Sequence, residues 1–183
     1  MTNVIITDGR VVDPASGMDA IGDVAVVDGR ISAVGTGLGT AERVIDATGL
    51  VVAPGFIDLH AHGQSIPADR MQAFDGVTTT LDLEAGVLPV ASWYRRQAAK
   101  GRVLNYGAAA NWAFARIGAM TGSNAESSLE AFGNAMRDRR WIDNVASDTE
   151  VAGILDRLAI GLNEAASASA FSTPMPPAPA SRS

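Results

Sequence analysis

The chain of 183 residues suits one ordinary domain, and its net charge of −6, with Lys and Arg scattered rather than blocked, argues against a nucleic-acid surface. It contains no cysteine, which excludes a disulfide framework and a thiolate metal site. Its start, Met1-Thr2-Asn3-Val4-Ile5-Ile6-Thr7-Asp8, lacks the basic start and apolar core of a signal peptide, and no apolar run reaches membrane-span length; a soluble cytoplasmic protein with no membrane partner is expected.

Residues 3–52 read as β-structure. Val4-Ile5-Ile6 and Val11-Val12 flank Asp8-Gly9-Arg10, and Asp-Gly is a strong hairpin-turn signal. Asp28-Gly29-Arg30 repeats the device between Val24-Ala25-Val26-Val27 and Ile31-Ser32-Ala33-Val34. Val44-Ile45 and Leu50-Val51-Val52 add two short strands, and such close spacing predicts a small sandwich over residues 1–53 rather than a βα repeat.

Pro54-Gly55-Phe56-Ile57-Asp58-Leu59-His60-Ala61-His62-Gly63 reads as a short apolar strand that ends in two histidines, which are all the histidine the chain has. Strand side chains alternate faces, so Phe56, Asp58, His60 and His62 share one face, and Ile57 and Leu59 take the other. Two imidazoles on one face can hold a divalent metal ion such as zinc; a polar strand end is the plainer reading of the same residues. From here strands alternate with helices, which predicts a parallel sheet with helical crossovers over residues 54–164. Ile66 to Phe74 is a helix, and Val77 to Glu84 a second strand rich in β-branched residues. Pro89 to Lys100 is a helix with Pro89 in its first turn and Gly101 just past its end. Val103 to Ala109 is a third strand, and Ser127 to Arg139 is helical. Asp148 to Glu164 is a helix capped by Ser147 or Asp148, with an apolar stripe of Val151, Ile154, Leu155, Leu158 and Leu162.

Glu84 closes the second strand and shares a face with Thr80 and Asp82. In a (β/α)8 barrel, function collects at the C-terminal strand ends, so Glu84 is expected at the same rim as His60 and His62. There it either ligates or bridges a metal or is a solvated loop acid. Asp58 is expected to hydrogen-bond at the strand end rather than to ligate.

The run from Ile45-Asp46-Ala47-Thr48-Gly49-Leu50-Val51-Val52-Ala53 into Pro54 and the two histidines resembles the amidohydrolase superfamily, over roughly residues 3–164. The resemblance implies a metal-dependent (β/α)8 hydrolase barrel beside a small β-sandwich, with His60 and His62 as metal ligands on the first barrel strand. Asp75-Gly76-Val77-Thr78-Thr79-Thr80 followed by Leu83-Glu84-Ala85-Gly86, with His60-Ala61-His62-Gly63-Gln64, looks like N-acyl-D-amino-acid deacylases, the D-glutamate branch in particular. That implies hydrolysis of a linear amide C–N bond in a small-molecule N-acyl amino acid, with zinc as the expected cofactor and His60, His62 and Glu84 as the candidate metal residues. Related D-aminoacylases carry a cysteine ligand that ungapped alignment sets at Ala85, one residue after Glu84. A dihydroorotase- or hydantoinase-like cyclic amidase is the alternative within the enzyme class, and a non-catalytic fragment is the alternative outside it.

A whole barrel typically needs about 250 residues, so the fold expected here is α/β, a β-sandwich portion followed by the first three or so βα units of an incomplete barrel. After Glu164 the sequence turns to Ala, Ser and Pro, and residues 165–183 are expected to be a disordered tail. A natural tail is one reading; a base lost from GC-rich codons just after Glu164 is the other, since one choice of codons, with a G restored, reads GGLGIGFLNAYAPGTGIEV, which resembles a further barrel strand of the deacylases. As written, the chain is then expected to hydrolyse no N-acyl-D-amino acid.

Overall fold

The computed structural model of the chain describes residues 3–63, 65–124 and 126–168, which fall into two compact units divided after Gly55. The first unit is a single five-stranded sheet. Its strands are β1 (Val4–Asp13), β2 (Met18–Val27), β3 (Arg30–Gly35), β4 (Arg43–Asp46) and β5 (Val51–Val52). They run β3-β2-β1-β4, and β5 also pairs with β1 further along. The two hairpin pairings are antiparallel, whereas β4 and β5 lie parallel to β1.

The two Asp-Gly pairs behave differently. Asp28-Gly29 is the expected two-residue hairpin, with φ of 49° and 74°, and positive φ at both positions is what a type I′ turn requires. Asp8-Gly9 is not a turn. β1 runs straight through it, and Asp8, at φ 58°, lies in a bulge where the register with β2 shifts between Ile6 and Gly9. Gly9 is needed there for close approach, since a Cβ on it would lie 2.5 Å from the Val52 side chain of β5. The Asp8 N–H donates to Asp23 Oδ1 at 3.0 Å instead of closing a hairpin. Asp23 Oδ2 also accepts from the N–H groups of Gly37 (2.8 Å) and Leu38 (3.4 Å), so one buried carboxylate ties the bulge to the loop after β3.

These bonds, that from Asp8 foremost, hold the Asp23 carboxyl below the usual carboxylate range against the opposing effect of burial. A depressed folded-state pKa stabilises fully above the unfolded value of about 3.9 and is lost as pH falls through the folded value. Urea unfolding of the wild type is therefore expected to weaken more steeply below about pH 4 than that of Asp23→Asn, which keeps an acceptor but cannot titrate.

The second unit contains β6 (Phe56–Asp58), α1 (Ile66–Phe74), β7 (Val77–Val87), α2 (Val90–Lys100) and β8 (Asn105–Ala110). It continues through α3 (Trp112–Thr121), α4 (Leu129–Ala135), α5 (Arg140–Asp143) and α6 (Asp148–Ala168). The sheet order β6-β7-β8, all parallel, is the expected series of βα units. Ser65 caps α1 by accepting from the Ala68 N–H, and Gly101, at φ 70°, closes α2 as the sequence predicts. The expected helix over Ser127–Arg139 is shorter, α4 over Leu129–Ala135, which Ser128 caps, and the short α5 follows beyond it. α3 lies outside the sequence expectations, although Asn111 caps its start and Gly122, at φ 77°, its end.

One core cluster joins Val87, Val90, Trp93 and Ala108; a second joins Phe114, Ile117, Met120 and Trp141. A buried ion pair braces the sheet beside them. Arg102 donates to both carboxylate oxygens of Asp69 in α1, each at 2.6 Å, and also to Thr80 Oγ1 (3.2 Å) and Gln97 Oε1 (3.3 Å). The guanidinium lies 5.0 Å from the centroid of the Tyr106 ring. Arg102→Met would leave Asp69 buried without its counter-charge, and the expected loss of unfolding free energy is about 3–5 kcal/mol, read from the urea midpoint.

α6 meets the expected apolar stripe in part. Ile154 and Leu158 are half-buried, whereas Val151, Leu155 and Leu162 are 43%, 60% and 61% exposed. The helix also approaches its neighbours through small residues: a Cβ on Gly161 would lie 3.0 Å from Ala110, and one on Gly153 3.5 Å from Ala119. Glycines let the helix axis come close there. Its start is a capping box, in which the Ser147 hydroxyl accepts from the Glu150 N–H and the Glu150 carboxylate from the Ser147 N–H. Its end also differs from expectation. The helix continues through Ala168, past Glu164, with Ala165 packed against the first core cluster, because alanine is the strongest helix former. The remaining expectations for the tail concern residues 169–183, outside the described residues.

Candidate metal centre

The first barrel strand is shorter than the sequence predicts. β6 ends at Asp58 rather than at His62. The cause is local: Asp58 Oδ1 accepts from the His60 N–H at 3.0 Å, an Asx-type turn that takes the chain out of the ladder. Asp58 Oδ2 accepts from Gln72 Nε2 at 3.1 Å, so α1 holds the same carboxylate. Gln72 Oε1 is left buried without a hydrogen-bond partner among the described residues. Asp58 is thus the strand-end hydrogen-bonding residue that was expected.

Beyond Asp58 the chain keeps its place against β7. The Ala61 N–H donates to the Leu81 carbonyl at 3.0 Å, and His60 and Asp82 form an isolated bridge. Glu84 lies in β7, which runs to Val87 rather than stopping at Glu84. β7 bends between Asp82 and Val87, where its register with β8 shifts. Gly86 makes the bend possible. It has φ 68°, and a Cβ on it would sit 2.6 Å from the Ala109 carbonyl oxygen. Its N–H donates to Asp82 Oδ1 at 3.0 Å.

His60, His62 and Glu84 are brought together, each offering one ligand atom, all within 4.8 Å of one another. His60 Nε2 lies 2.9 Å from His62 Nε2, with the rings edge to face. Glu84 Oε2 lies 3.9 Å from His60 Nε2 and 3.5 Å from His62 Nε2. Tetrahedral zinc with N and O bonds of about 2.0 Å sets its ligand atoms about 3.3 Å apart, a value the three distances bracket. Two imidazoles and a carboxylate also form a donor set that zinc accepts, so the residues fit such an ion. The three side chains are 65%, 54% and 61% exposed, which leaves the site open to solvent. Asp82 is the residue that sequence reasoning missed. It is buried, and its Oδ1 lies 3.9 Å from His62 Nδ1. Its signal was present in the alternation that sets Thr80, Asp82 and Glu84 on one face.

A model of the amidohydrolase family matches residues 43–177. The chain belongs to the amidohydrolase family. The match continues past Glu164, where the sequence reading ends the family-like part. Among curated relatives, the dihydroorotase of Solibacter usitatus is 53% identical over 60 residues, 32% of this chain and 14% of that protein. The dihydroorotase of Streptococcus pneumoniae is 41% identical over 99 residues, 49% of this chain and 23% of that protein. Among solved structures, N-acyl-D-glutamate deacylase from Bordetella bronchiseptica, complexed with zinc and a phosphonate inhibitor, aligns with a TM-score of 0.70 at 25% identity. That alignment covers 88% of this chain and 36% of the deacylase chain. A D-aminoacylase structure aligns with a TM-score of 0.67 at 20% identity, over 90% of this chain and 37% of that one, a likeness of fold. This amidohydrolase thus spans a minor part of each relative, and its likenesses divide between deacylases and dihydroorotases. The family is narrower in the sequence expectation, which named the D-glutamate deacylase branch, than in these likenesses. No helix among the described residues is long and apolar enough to cross a membrane.

Gly86→Ala is expected to lower unfolding stability by more than about 1 kcal/mol, because alanine meets both a left-handed backbone and the Ala109 carbonyl. Thermal or urea unfolding of the variant beside the wild type measures it.

Proposed function

We propose that this amidohydrolase chain holds a divalent metal ion, zinc foremost, on His60, His62 and Glu84, for hydrolysis of a linear amide C–N bond in an N-acyl-D-amino acid such as N-acyl-D-glutamate. The observation that carries the metal site is the convergence of the three ligand atoms within 4.8 Å. The substrate class rests on the likeness to the N-acyl-D-glutamate deacylase over 88% of this chain. A bound divalent ion supplies Lewis acidity toward the amide carbonyl and lowers the pKa of water. The chain's own residues do the rest. His60 and His62 present ring nitrogens from the loop after β6, and Glu84 adds negative charge from β7, across a solvent-open face that a small substrate can reach. A cyclic amidase is the second reading, favoured by the 41–53% identity to dihydroorotases over shorter stretches.

Three exposed ligands, two from the loop after β6 and one from β7, make a weak site in this chain alone. A catalytic zinc site usually has three protein ligands on a rigid scaffold, and the rim needs that support. The 183-residue chain is therefore expected to bind zinc weakly and to lose it readily to chelator.

Competition with a chromophoric chelator tests the site: His60→Ala and His62→Ala should each weaken zinc binding at least about tenfold, and Glu84→Gln should weaken it less. Equal affinity in wild type and both histidine variants removes the metal reading. For the substrate, the zinc-loaded chain should hydrolyse N-acyl-D-glutamate in preference to dihydroorotate. The opposite preference replaces the deacylase reading with the cyclic amidase one.

A further inference from the structure

The loop that carries the two histidines is moulded on α1. His60 donates its backbone N–H to Asp58 Oδ1 at 3.0 Å, and Asp58 Oδ2 accepts from Gln72 Nε2 at 3.1 Å. A carboxylate only accepts, so the Gln72 amide turns its nitrogen to Asp58. The Gln72 oxygen is buried and has no hydrogen-bond partner among the described residues. At its far end the loop meets the same helix: a Cβ on Gly63 would lie 2.9 Å from Ala68 Cβ. Ser65 closes that approach by accepting from the Ala68 N–H at 3.4 Å. The helix is itself anchored, since Arg102 holds both carboxylate oxygens of Asp69. Gln72 lies three residues after Asp69, so it projects from a fixed element.

Only Leu59, His60, Ala61 and His62 lie between Asp58 and Gly63, and the Ala61 N–H ties their middle to the Leu81 carbonyl of β7. Both imidazoles are exposed, so packing does not place them. We infer that Gln72 is a positioning residue for the histidine pair. By holding Asp58 it fixes the His60 backbone, and with it the approach of His60 Nε2 to His62 Nε2 at 2.9 Å. The consequence for metal rests on the reading of His60, His62 and Glu84 as a metal site, since groups that orient ligands govern metal affinity. A merely structural Gln72 would contribute to stability and leave the His60 N–H and the metal affinity alone.

The test compares the wild type with Gln72→Met and Gln72→Lys. Each is measured by urea unfolding, by backbone amide exchange of the metal-free chain, and by zinc competition with a chromophoric chelator. Methionine is similar in length and a good helix former, and it removes the donor together with the unpaired oxygen. Lysine restores a donor for the Asp58 carboxylate. Gln72→Met should keep the urea midpoint of the wild type, speed exchange of the His60 N–H at least about tenfold, and weaken zinc about tenfold. Gln72→Lys should return both the exchange and the affinity toward the wild type. The positioning role is wrong if the His60 N–H exchanges alike in all three proteins. It is equally wrong if lysine weakens zinc as much as methionine does, or if methionine lowers the midpoint while zinc affinity holds. Zinc binding by the wild type in those cases leaves the metal site standing. Conversely, His60 exchange that depends on Gln72, with no zinc binding at all, upholds the positioning and removes the metal reading.

Discussion

The parallel pairing of β6 with β7 is the constraint on which the site depends. Phe56, Ile57 and Asp58 pair with Val77, Thr79 and Thr80. Contact then continues past the end of the strand, through the Ala61 N–H on the Leu81 carbonyl and the bridge between His60 and Asp82. Residues more than twenty positions apart in sequence are thereby set side by side at the same end of two strands. An antiparallel arrangement would send Glu84 to the opposite end from the histidines. Parallel strands need a crossover, and α1 supplies it.

α1 does more than connect. Asp69 and Gln72 are three residues apart and so lie on one face of the helix. Asp69 takes the buried Arg102, which also reaches Thr80 on β7. Gln72 holds Asp58, which in turn fixes the His60 backbone. One helical face thus braces both the middle of the sheet and the loop that carries the histidines. Apolar residues alternate with these polar ones along the strands, and Ile57, Leu59 and Leu83 are exposed. The His60, His62 and Glu84 side chains are exposed as well, so their mutual placement comes from backbone ties and bends rather than from burial.

Much of this was legible in the sequence because the governing signals are local. The boundaries of α1 follow from Ser65, Pro67 and the change at Asp75-Gly76; the convergence of His60, His62 and Glu84 follows from the rule that strand ends share a rim, with the histidines past the end of β6. What the sequence misled on were cases where a distant group decided the outcome. Asp8-Gly9 looks identical to Asp28-Gly29, but Val52 and Asp23 are what make it a bulge. In α6 the packed face is shared by Ile154 and Leu158 with Gly153 and Gly161, and Leu155 and Leu162 are left exposed. β6 stops early because the Asp58 side chain competes for the backbone, an effect that apolar patterning does not carry. Asp82 was visible only as one of three residues on a face; its burial and its bond from the Gly86 N–H belong to the bend after it, which alternation does not show.

His60, His62 and Glu84 are proposed to form one metal site together. X-ray absorption of the chain loaded with substoichiometric zinc tests this most directly. A nitrogen and oxygen shell near about 2.0–2.1 Å is expected, with the multiple-scattering signature of two imidazoles. That signature should fall to a single imidazole in His62→Ala. A spectrum of oxygen neighbours only, identical in the wild type and the variant, would contradict it.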